Sequence, residues 1–228
     1  MNVEEVAPDQ KLRISKYKVS RRAGILIPTV QYDERMVSVS GKVYGTTQAN
    51  ARSNFDTLLQ AVNEGEKDLF YHDDRFLRVI LSGHNSKPRA ASRIIDFSLK
   101  FTMQDPFYFY LQKLRSKQTI SSSPTTFTVT TSGTAPTKPL VQFAASGNDI
   151  TSCTLENLTT GQTFSFTGTV TDGNTLKIDC NAPTVLNNSV DEIGSFSGDF
   201  LKLAPGANEI KFTGSDCIIK LDWIDKWL

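Results

Sequence analysis

The clearest pattern in the chain is a strict alternation of apolar and polar residues between Ile95 and Met103. A period of two places every apolar side chain of such a stretch on one face of a β-strand, whereas a helix would spread them around its circumference. Proline cannot donate a main-chain hydrogen bond, so the strand must end near Asp105 and Pro106. The residues predicted to share the buried face are Ile95, Phe97, Leu99, Phe101 and Met103.

A second period predicts one helix, from about Gln48 to Asn63. Its apolar residues recur three or four positions apart and form a single stripe, which favours packing on a sheet. Thr46 or Thr47 is a suitable N-cap, and Gly65 can adopt the left-handed conformation that ends a helix. The residues of the stripe are Phe55, Leu58, Leu59 and Val62.

Two segments before the helix are interpreted as edge strands, Lys11–Val19 and Met36–Tyr44. In the first, the apolar parity changes near Ser15 and Lys16, which predicts a β-bulge. Six of the twelve residues in KLRISKYKVSRR are basic. This charge fits a nucleic-acid contact, a sheet edge protected from unwanted pairing, or a contact with a neighbouring subunit. Tyr17 is the only aromatic residue among the basic ones, which disfavours the nucleic-acid contact.

After the helix, strands are predicted at Asp68–Tyr71 and Arg75–Leu81, joined by a polar turn. The stretch Leu111–Thr126 reads as a polar, partly helical piece followed by a Ser/Pro connector, which places a domain boundary between residues 118 and 119. Eight short strands separated by Gly-, Asn- and Pro-containing turns follow, a pattern typical of an antiparallel β-sandwich. They are Thr126–Thr130, Pro139–Ala144, Ser152–Asn157, Thr163–Gly168, Thr175–Asp179, Gly198–Leu203, Glu209–Thr213 and Cys217–Trp223.

Composition narrows the function classes. The formal net charge is +1, so overall charge gives no argument for a nucleic-acid or membrane partner. We expect no secretory signal and no spanning segment, because no apolar run approaches about 18 residues. The three cysteines are far apart in strand-like segments and are interpreted as buried free thiols.

Catalytic chemistry has few candidates. His72, Asp73 and Asp74 are consecutive, and adjacent strand residues point to opposite faces, so a hairpin turn is favoured over a metal site. His84 lies in a predicted loop and has no recognisable nucleophile beside it. No glycine-rich phosphate loop is present. The sequence therefore predicts no catalytic residues, no metal and no cofactor, and we expect a protein that is not an enzyme.

Several motifs occur together in a characteristic order. RMVSVSGKVYG precedes the helix with its FDTLLQAV core, and DFSLKFTMQDPFYFY follows. Further along come GTAPTKPLVQF, LENLTTGQTFSF, DGNTLKIDC and FLKLAPGANEIKFTG, before a closing strand that ends in Trp223. In this order the chain resembles the distal tail protein (Dit) family of long-tailed, non-contractile phages, over nearly its whole length.

The resemblance implies a mainly β protein with one helix in its N-terminal domain. Residues 1–118 would form a ring-forming belt domain, and residues 119–228 a galectin-like antiparallel β-sandwich. Six copies would close into a homo-hexameric ring that joins the tail tube protein to the tail-tip protein and lets DNA pass through its centre. The protein would be part of the virion, at the tail tip, after assembly in the host cytoplasm, with no sequence-specific nucleic-acid contact and no membrane insertion.

A closed ring requires that one patch of each subunit meets a different patch of the next. The charged edge segments could supply these patches by main-chain pairing. The residues predicted at the ring interface are Tyr17, Arg21, Arg22, Arg35 and Tyr44.

The alternative function is a carbohydrate-binding module that recognises host surface glycans, with Trp223 and Trp227 stacking on a sugar ring. Galectin-type recognition also uses polar His, Asn and Arg side chains, yet no His follows His84 and no Arg follows Arg115. Trp223 shares its strand parity with Ile219 and Leu221, which favours a position in the core or at the domain junction. The sequence therefore favours the structural ring component.

Overall fold

The computed structural model describes residues 2–9, 12–17, 26–72, 74–88 and 93–228. The protein is mainly β, as predicted, and the described residues contain one α-helix. The chain divides into two compact units, Met1–Tyr108 and Phe109–Leu228. The predicted boundary at residues 118 and 119 instead falls inside a strand of the second unit, Leu114–Ile120.

The first unit contains an antiparallel sheet with the strand order β1-β4-β7-β6, and β5 pairs with β6. The strands β2 and β3 form a separate two-stranded sheet. The elements are β1 (Asn2–Asp9), β2 (Leu12–Tyr17), β3 (Leu26–Tyr32), β4 (Arg35–Tyr44), α1 (Gln48–Val62), β5 (Lys67–His72), β6 (Arg75–Pro88) and β7 (Ile94–Met103). The short strand β8 (Tyr108–Tyr110) spans the division between the units.

Strand β7 lies inside this sheet, between β4 and β6. Its alternation is confirmed, because the five predicted apolar residues are each 0–4% exposed and the polar residues between them are less buried. Burial of one such side chain stabilises a fold by about 1.5–3 kcal/mol. The strand therefore supplies much of the core of the first unit.

Helix α1 covers the same core. It begins after Thr47, whose hydroxyl oxygen accepts a hydrogen bond from the Asn50 main-chain N–H at 3.1 Å, so the predicted N-cap is confirmed. Ala51 and Phe55 are buried against the sheet, and the Phe55 ring lies 6.2 Å from that of Phe97. The rest of the predicted stripe, Leu58, Leu59 and Val62, is partly buried against the same cluster.

The prediction that Met36–Tyr44 is an edge strand is wrong. This stretch belongs to β4, which pairs with β7 on one side and with β1 on the other. The N-terminal stretch Asn2–Asp9 occupies the edge instead. Its three acidic residues and its proline hide the strand from a search for apolar periodicity.

Strand β6 continues to Pro88 and includes His84, which was predicted to lie in a loop. The pairing with β7 shifts between Leu81 and Gly83, so β6 has an extra residue at Ser82. The Ser82 hydroxyl donates to the Lys100 carbonyl oxygen at 3.0 Å. Pairing with β7 thus keeps a sequence of low strand propensity extended.

The second unit is an antiparallel β-sandwich. One sheet has the order β10-β18-β12-β13-β17, the other β16-β15-β14-β11-β19-β9, and residues of both share one buried cluster. A single 3₁₀ turn lies at Ile193–Ser195. The strands are β9 (Leu114–Ile120), β10 (Thr125–Thr131), β11 (Leu140–Ala144), β12 (Cys153–Asn157), β13 (Gln162–Phe166), β14 (Thr175–Asp179), β15 (Thr184–Asn187), β16 (Val190–Asp191), β17 (Phe196–Gly198), β18 (Gly206–Gly214), β19 (Cys217–Trp223) and β20 (Lys226–Trp227).

Two parts of the prediction for this unit differ from the structure. The polar, partly helical piece after Leu111 is strand β9, because it pairs along its whole length with β19. Most of the predicted strand Gly198–Leu203 is irregular, although Leu203 bridges to Thr137. The three cysteines are buried and free, as predicted, and burial raises each thiol pKa to about 12.

The turn Pro205–Asn208 is held by a fully buried asparagine. The Asn208 side-chain oxygen accepts from the Ala204 main-chain N–H at 2.8 Å and from the Asn157 side-chain amide at 3.2 Å. The Asn208 amide donates to the Ala204 and Gly206 carbonyl oxygens at 2.9 and 3.1 Å. The asparagine of the PGAN motif therefore replaces main-chain pairing where the chain turns into β18.

We expect Asn208→Ala to lower the free energy of unfolding by about 3 kcal/mol, because buried polar groups would lose their partners. Urea unfolding followed by circular dichroism measures the change. Asn181→Ala is the matched control, since Asn181 is exposed in another turn and should change stability by less than about 0.5 kcal/mol. Equal midpoints for the two variants would contradict the assignment.

Candidate functional site

The paired strands β2 and β3 are the first candidate surface, and we call the described residues 12–17 and 26–32 the arm. In the described part of the chain, its two strands pair only with each other. Their register shifts between Ser15 and Tyr17, at the predicted position, but the prediction that β2 itself has the bulge is wrong. Ser15 pairs with Thr29 and Tyr17 pairs with Leu26, so an advance of two residues along β2 corresponds to three along β3. The extra residue therefore lies on β3, beside or at Pro28. A proline that cannot donate to the ladder explains why the pairing shifts there.

A two-stranded arm leaves main-chain groups without partners along both outer edges, and such edges can pair with another chain. The sequence adds positive charge, with Arg13 and Lys16 in β2. Of the predicted interface residues, Tyr17 ends β2, whereas Arg21 and Arg22 lie outside the described residues. The arm can therefore offer main-chain pairing together with a basic segment.

Strand β1 is the second candidate surface. It pairs with β4 along one side, and the described residues place no strand on its other side. Its sequence contains Glu4, Glu5 and Asp9 and no basic residue. The open strand edges in the described part of the first unit thus include a basic one, on the arm, and an acidic one, on β1.

The remaining two predicted interface residues differ from each other. Arg35 is 6% exposed; its guanidinium lies 5.0 Å from the centre of the Tyr108 ring and donates to the Pro106 carbonyl oxygen at 3.5 Å. These contacts enclose Arg35 within its own unit, so the structure does not present its charge to a neighbour. Tyr44 is 47% exposed at the end of β4 and is available for contact.

A groove of about 430 Å³ lies in the first unit. It contains His84 and Ser86, a residue pair that invites comparison with a hydrolase site. In the described residues, no hydrogen bond joins His84 to Ser86 or to Asp56. Without that bond the groove contains no base and nucleophile of the kind that acyl transfer needs. The groove is lined by Arg52, Phe55, Asp56, Leu59, His84, Ser86 and Ile95.

Strand β5 ends at His72 and β6 begins at Arg75, and Asp73, the middle residue of the predicted turn, lies outside the described residues. Across the described ranges there is no group of three or more His, Cys, Asp or Glu side chains that could hold a metal ion. The same residues contain no helix with the length and hydropathy needed to span a bilayer.

Trp223, the first candidate for sugar stacking, is 6% exposed and belongs to the sandwich core. Its indole N–H donates to an Asp225 carboxylate oxygen at 2.9 Å. The other Asp225 oxygen accepts from the Ser132 main-chain N–H at 2.9 Å, so this buried carboxylate links the end of β19 to the segment after β10. A ring in this position has no free face for a sugar.

Trp227, the second candidate, is half-buried in β20. Its ring meets that of Tyr110 nearly edge-on, with 5.9 Å between centroids and 62° between planes. Beside it, the Lys226 ammonium lies 5.0 Å from the centre of the Phe109 ring. Trp227 is thus one of several aromatic contacts that attach the C-terminal strand within the second unit.

The outer side of β19 contains an ionic cluster that the sequence analysis did not identify. The Asp222 carboxylate accepts from Arg115 Nε at 2.6 Å and from Arg115 Nη2 at 2.9 Å. Lys113 lies 3.6 Å away, and the Gln142 amide donates at 3.3 Å. The hydrogen bond from Arg115 is the main cause that lowers the pKa of Asp222 below its usual value. The cluster attaches edge strand β9 to β19.

Known proteins resemble this chain in sequence and in fold. Residues 132–227 match the family described as the siphovirus-type tail component, C-terminal domain. None of the curated proteins matches the chain in sequence.

Two solved structures can be superposed on this chain, to different extents. The crystal structure of phage SPP1 Dit (gp 19.1), described as a paradigm of the hub adsorption apparatus in phages that infect Gram-positive bacteria, superposes with a TM-score of 0.81. The match covers 100% of this chain and 93% of that one, at 16% identity. A chain of the phage P2 baseplate in its activated conformation with Ca reaches a TM-score of 0.48 at 7% identity, over 96% of this chain and 90% of that one.

We expect Trp223→Ala to lower the free energy of unfolding by about 3–5 kcal/mol, because it removes a large core side chain and an indole bond to Asp225. Trp227→Ala should cost about 1 kcal/mol or less, since its ring is only half-buried. Urea unfolding measures both changes. If Trp223→Ala kept full stability but abolished a wild-type signal on a glycan array, the core assignment would be wrong and stacking would be supported.

The ionic cluster predicts a pH dependence. Because the pKa of Asp222 is lowered in the folded state, its contribution is fully present above about pH 4 and is lost as the pH falls through the folded-state pKa. We expect Arg115→Met to reduce stability most at neutral pH and least in acid. Urea unfolding at a series of pH values tests this, with Lys177→Met as the control for an exposed cation on the same sheet. A constant difference between wild type and Arg115→Met at every pH would refute the linkage.

Proposed function

We propose that the protein is the distal tail protein of a long-tailed phage and forms the ring at the tail tip, because residues 132–227 match the siphovirus-type tail component family. The fold shared with phage SPP1 Dit over the whole chain supports this proposal. In this function the protein has a structural role in the virion and carries out no catalysis.

The observation that carries the ring is the pair of open edges on the first unit. A ring closes through a heterologous contact, in which two different patches meet around each subunit boundary. The arm and β1 are two such patches, since each has an unpaired edge in the described part of the chain. Their opposite charge favours contact between the arm of one subunit and β1 of the next.

We propose that six copies close this ring around a central channel that lets DNA pass. One side of the ring would contact the tail tube protein, and the other the tail-tip protein. The second unit would be a galectin-like sandwich outside the ring, and subunits would assemble in the host cytoplasm before joining the virion. Its buried Trp223 offers no support for the carbohydrate-binding alternative.

We expect Arg21→Glu/Arg22→Glu to weaken ring assembly by at least about tenfold, because it exchanges positive for negative charge in the segment that joins β2 and β3 in sequence, next to the strands proposed to meet acidic β1. The control Lys117→Glu/Lys177→Glu makes the same charge change on the second unit and should leave the ring intact. Light scattering coupled to size exclusion reports the mass, and thermal unfolding reports folding of each variant.

A charge exchange makes the test specific. Glu4→Lys/Glu5→Lys should also weaken the ring, and combining it with Arg21→Glu/Arg22→Glu should restore assembly. Normal rings from Arg21→Glu/Arg22→Glu would contradict the predicted interface, as would a failure of the combined variant to recover. A wild-type chain that stays monomeric at every concentration and does not bind tail tubes would contradict the proposed function itself.

A further inference from the structure

The sandwich of the second unit has four strand edges, and three of them are protected against pairing. Strand β16 has only two residues. Strand β17 has three and ends at Gly198, whose φ of +107° is incompatible with regular extension. Strand β9 is longer but carries Arg115 and Lys117, and charged side chains are a common way to block an edge.

The fourth edge, β10, has no such protection. Its sequence, TTFTVTT, contains no charge, no proline and no glycine. It pairs with β18 from Thr125 to Thr131 without a register shift. A long, regular, uncharged edge strand of β-branched and aromatic residues is the kind that pairs readily with another strand.

The hydrogen bonds of β18 identify which groups of β10 are open. The main-chain N–H of Glu209 donates to the Thr159 hydroxyl and its carbonyl accepts from Leu158, so Glu209 points away from β10. In an antiparallel pair, two directly opposed residues either hydrogen-bond to each other or both point their N–H and C=O groups away from the partner strand. Thr128 lies opposite Glu209. The N–H and C=O of Thr128 therefore point to the open edge.

Thr126 and Thr130 are each two residues from Thr128, so their main-chain N–H and C=O groups also point to the open edge. No hydrogen bond within the described residues reaches the main chain of these three threonines. Their side chains are exposed on the solvent face. On the core side, Phe127 is only half-buried, because no strand covers its outer flank.

From this edge we propose that β10 pairs with β10 of a second copy of the chain, antiparallel and about a two-fold axis at Thr128. The pattern of TTFTVTT reads the same in both directions. Pairing about its centre places Thr128 opposite Thr128, Thr126 opposite Thr130, and Phe127 opposite Val129. Each of the three outward-facing threonines then exchanges both main-chain hydrogen bonds with its partner.

The side chains favour the same arrangement. Thr–Thr and aromatic–β-branched pairs across strands are stabilising, and no like charges meet. The uncovered flank of Phe127 becomes buried against Val129 of the second copy, which adds apolar burial to the hydrogen bonds. The contact is isologous and uses only the second unit, so it does not depend on the ring proposed above.

The test removes one outward N–H without disturbing the β10–β18 ladder. Proline is tolerated on an edge strand where its nitrogen faces solvent, so Thr128→Pro should fold normally. It should raise the Kd of the two-fold contact about tenfold or more, since hydrogen bonds are lost on both sides of the axis. Thr128→Val keeps the N–H and the β-branch, and should associate as the wild type does.

Sedimentation velocity and light scattering of the full chain measure the effect. We expect Thr128→Pro to form assemblies of half the wild-type mass, while Thr128→Val keeps the wild-type mass. Equal masses for wild type and Thr128→Pro would overturn the proposal, as would equal loss in both variants.

A cysteine pair tests the geometry even if Thr128→Pro fails to fold. Across a two-fold axis, the Cα atoms of the two Thr128 residues would lie about 5.5 Å apart, within disulfide range. Thr128→Cys should therefore form a covalent dimer under mild oxidation. Thr213→Cys, equally exposed on neighbouring β18, would lie three strand spacings (about 14 Å) across and about 27 Å along the strands from its copy, far beyond disulfide range, and should not. Thr128→Cys that stays monomeric, or cross-links no faster than Thr213→Cys, would overturn the proposal.

Discussion

Main-chain hydrogen bonding at strand edges is the constraint on which the organisation of this protein depends. Nearly all its regular structure is β, and every open sheet must end in strands whose N–H and C=O groups face outward on one side. Inside the sheets these groups are paired, as on both sides of β7 and β19. The groups at the edges remain available, so the edges are where a chain of this kind can join other chains.

The two cores hold those edges in place. In the first unit, β7 and α1 bury one apolar cluster. In the second, both sheets meet around Phe143, whose ring lies 6.1 Å from that of Phe164 and 5.8 Å from that of Phe212. Close-packed interiors resist deformation. An edge supported by such a core presents its hydrogen-bonding groups in a nearly fixed geometry, which lowers the entropic cost of pairing.

The sequence predicted those features whose cause is local. The period of two at Ile95–Met103, the helical stripe and the Thr47 cap are each read from neighbouring residues, and the structure contains all of them. Edge and interior positions depend on strands far away in the chain. Strand β4 was taken as an edge because nothing in its own residues reveals that Asn2–Asp9 pairs with it.

In the candidate sites as well, the features that depend on neighbouring residues were predicted and those that depend on distant residues were not. The basic charge of the arm was visible in the sequence, and the parity of Trp223 with Ile219 and Leu221 was enough to favour a position in the core or at the domain junction. Arg35 was predicted at the ring interface together with the charged edge segments, whereas Tyr108 and Pro106 enclose it within its own unit. The open edge of β10 was missed, since its significance depends on which strand follows it in the sheet.

The chemistry of each edge also decides the symmetry of the contact it can make. A basic arm repels a second basic arm, and an acidic strand repels its own copy, so these two edges favour joining different patches and hence a cyclic assembly. TTFTVTT carries no charge and has a pattern that is its own reverse, so it is suited to meet itself about a two-fold axis. The edges proposed for the ring belong to the first unit and the edge proposed for self-pairing to the second, so the two contact types would use different residues of the chain.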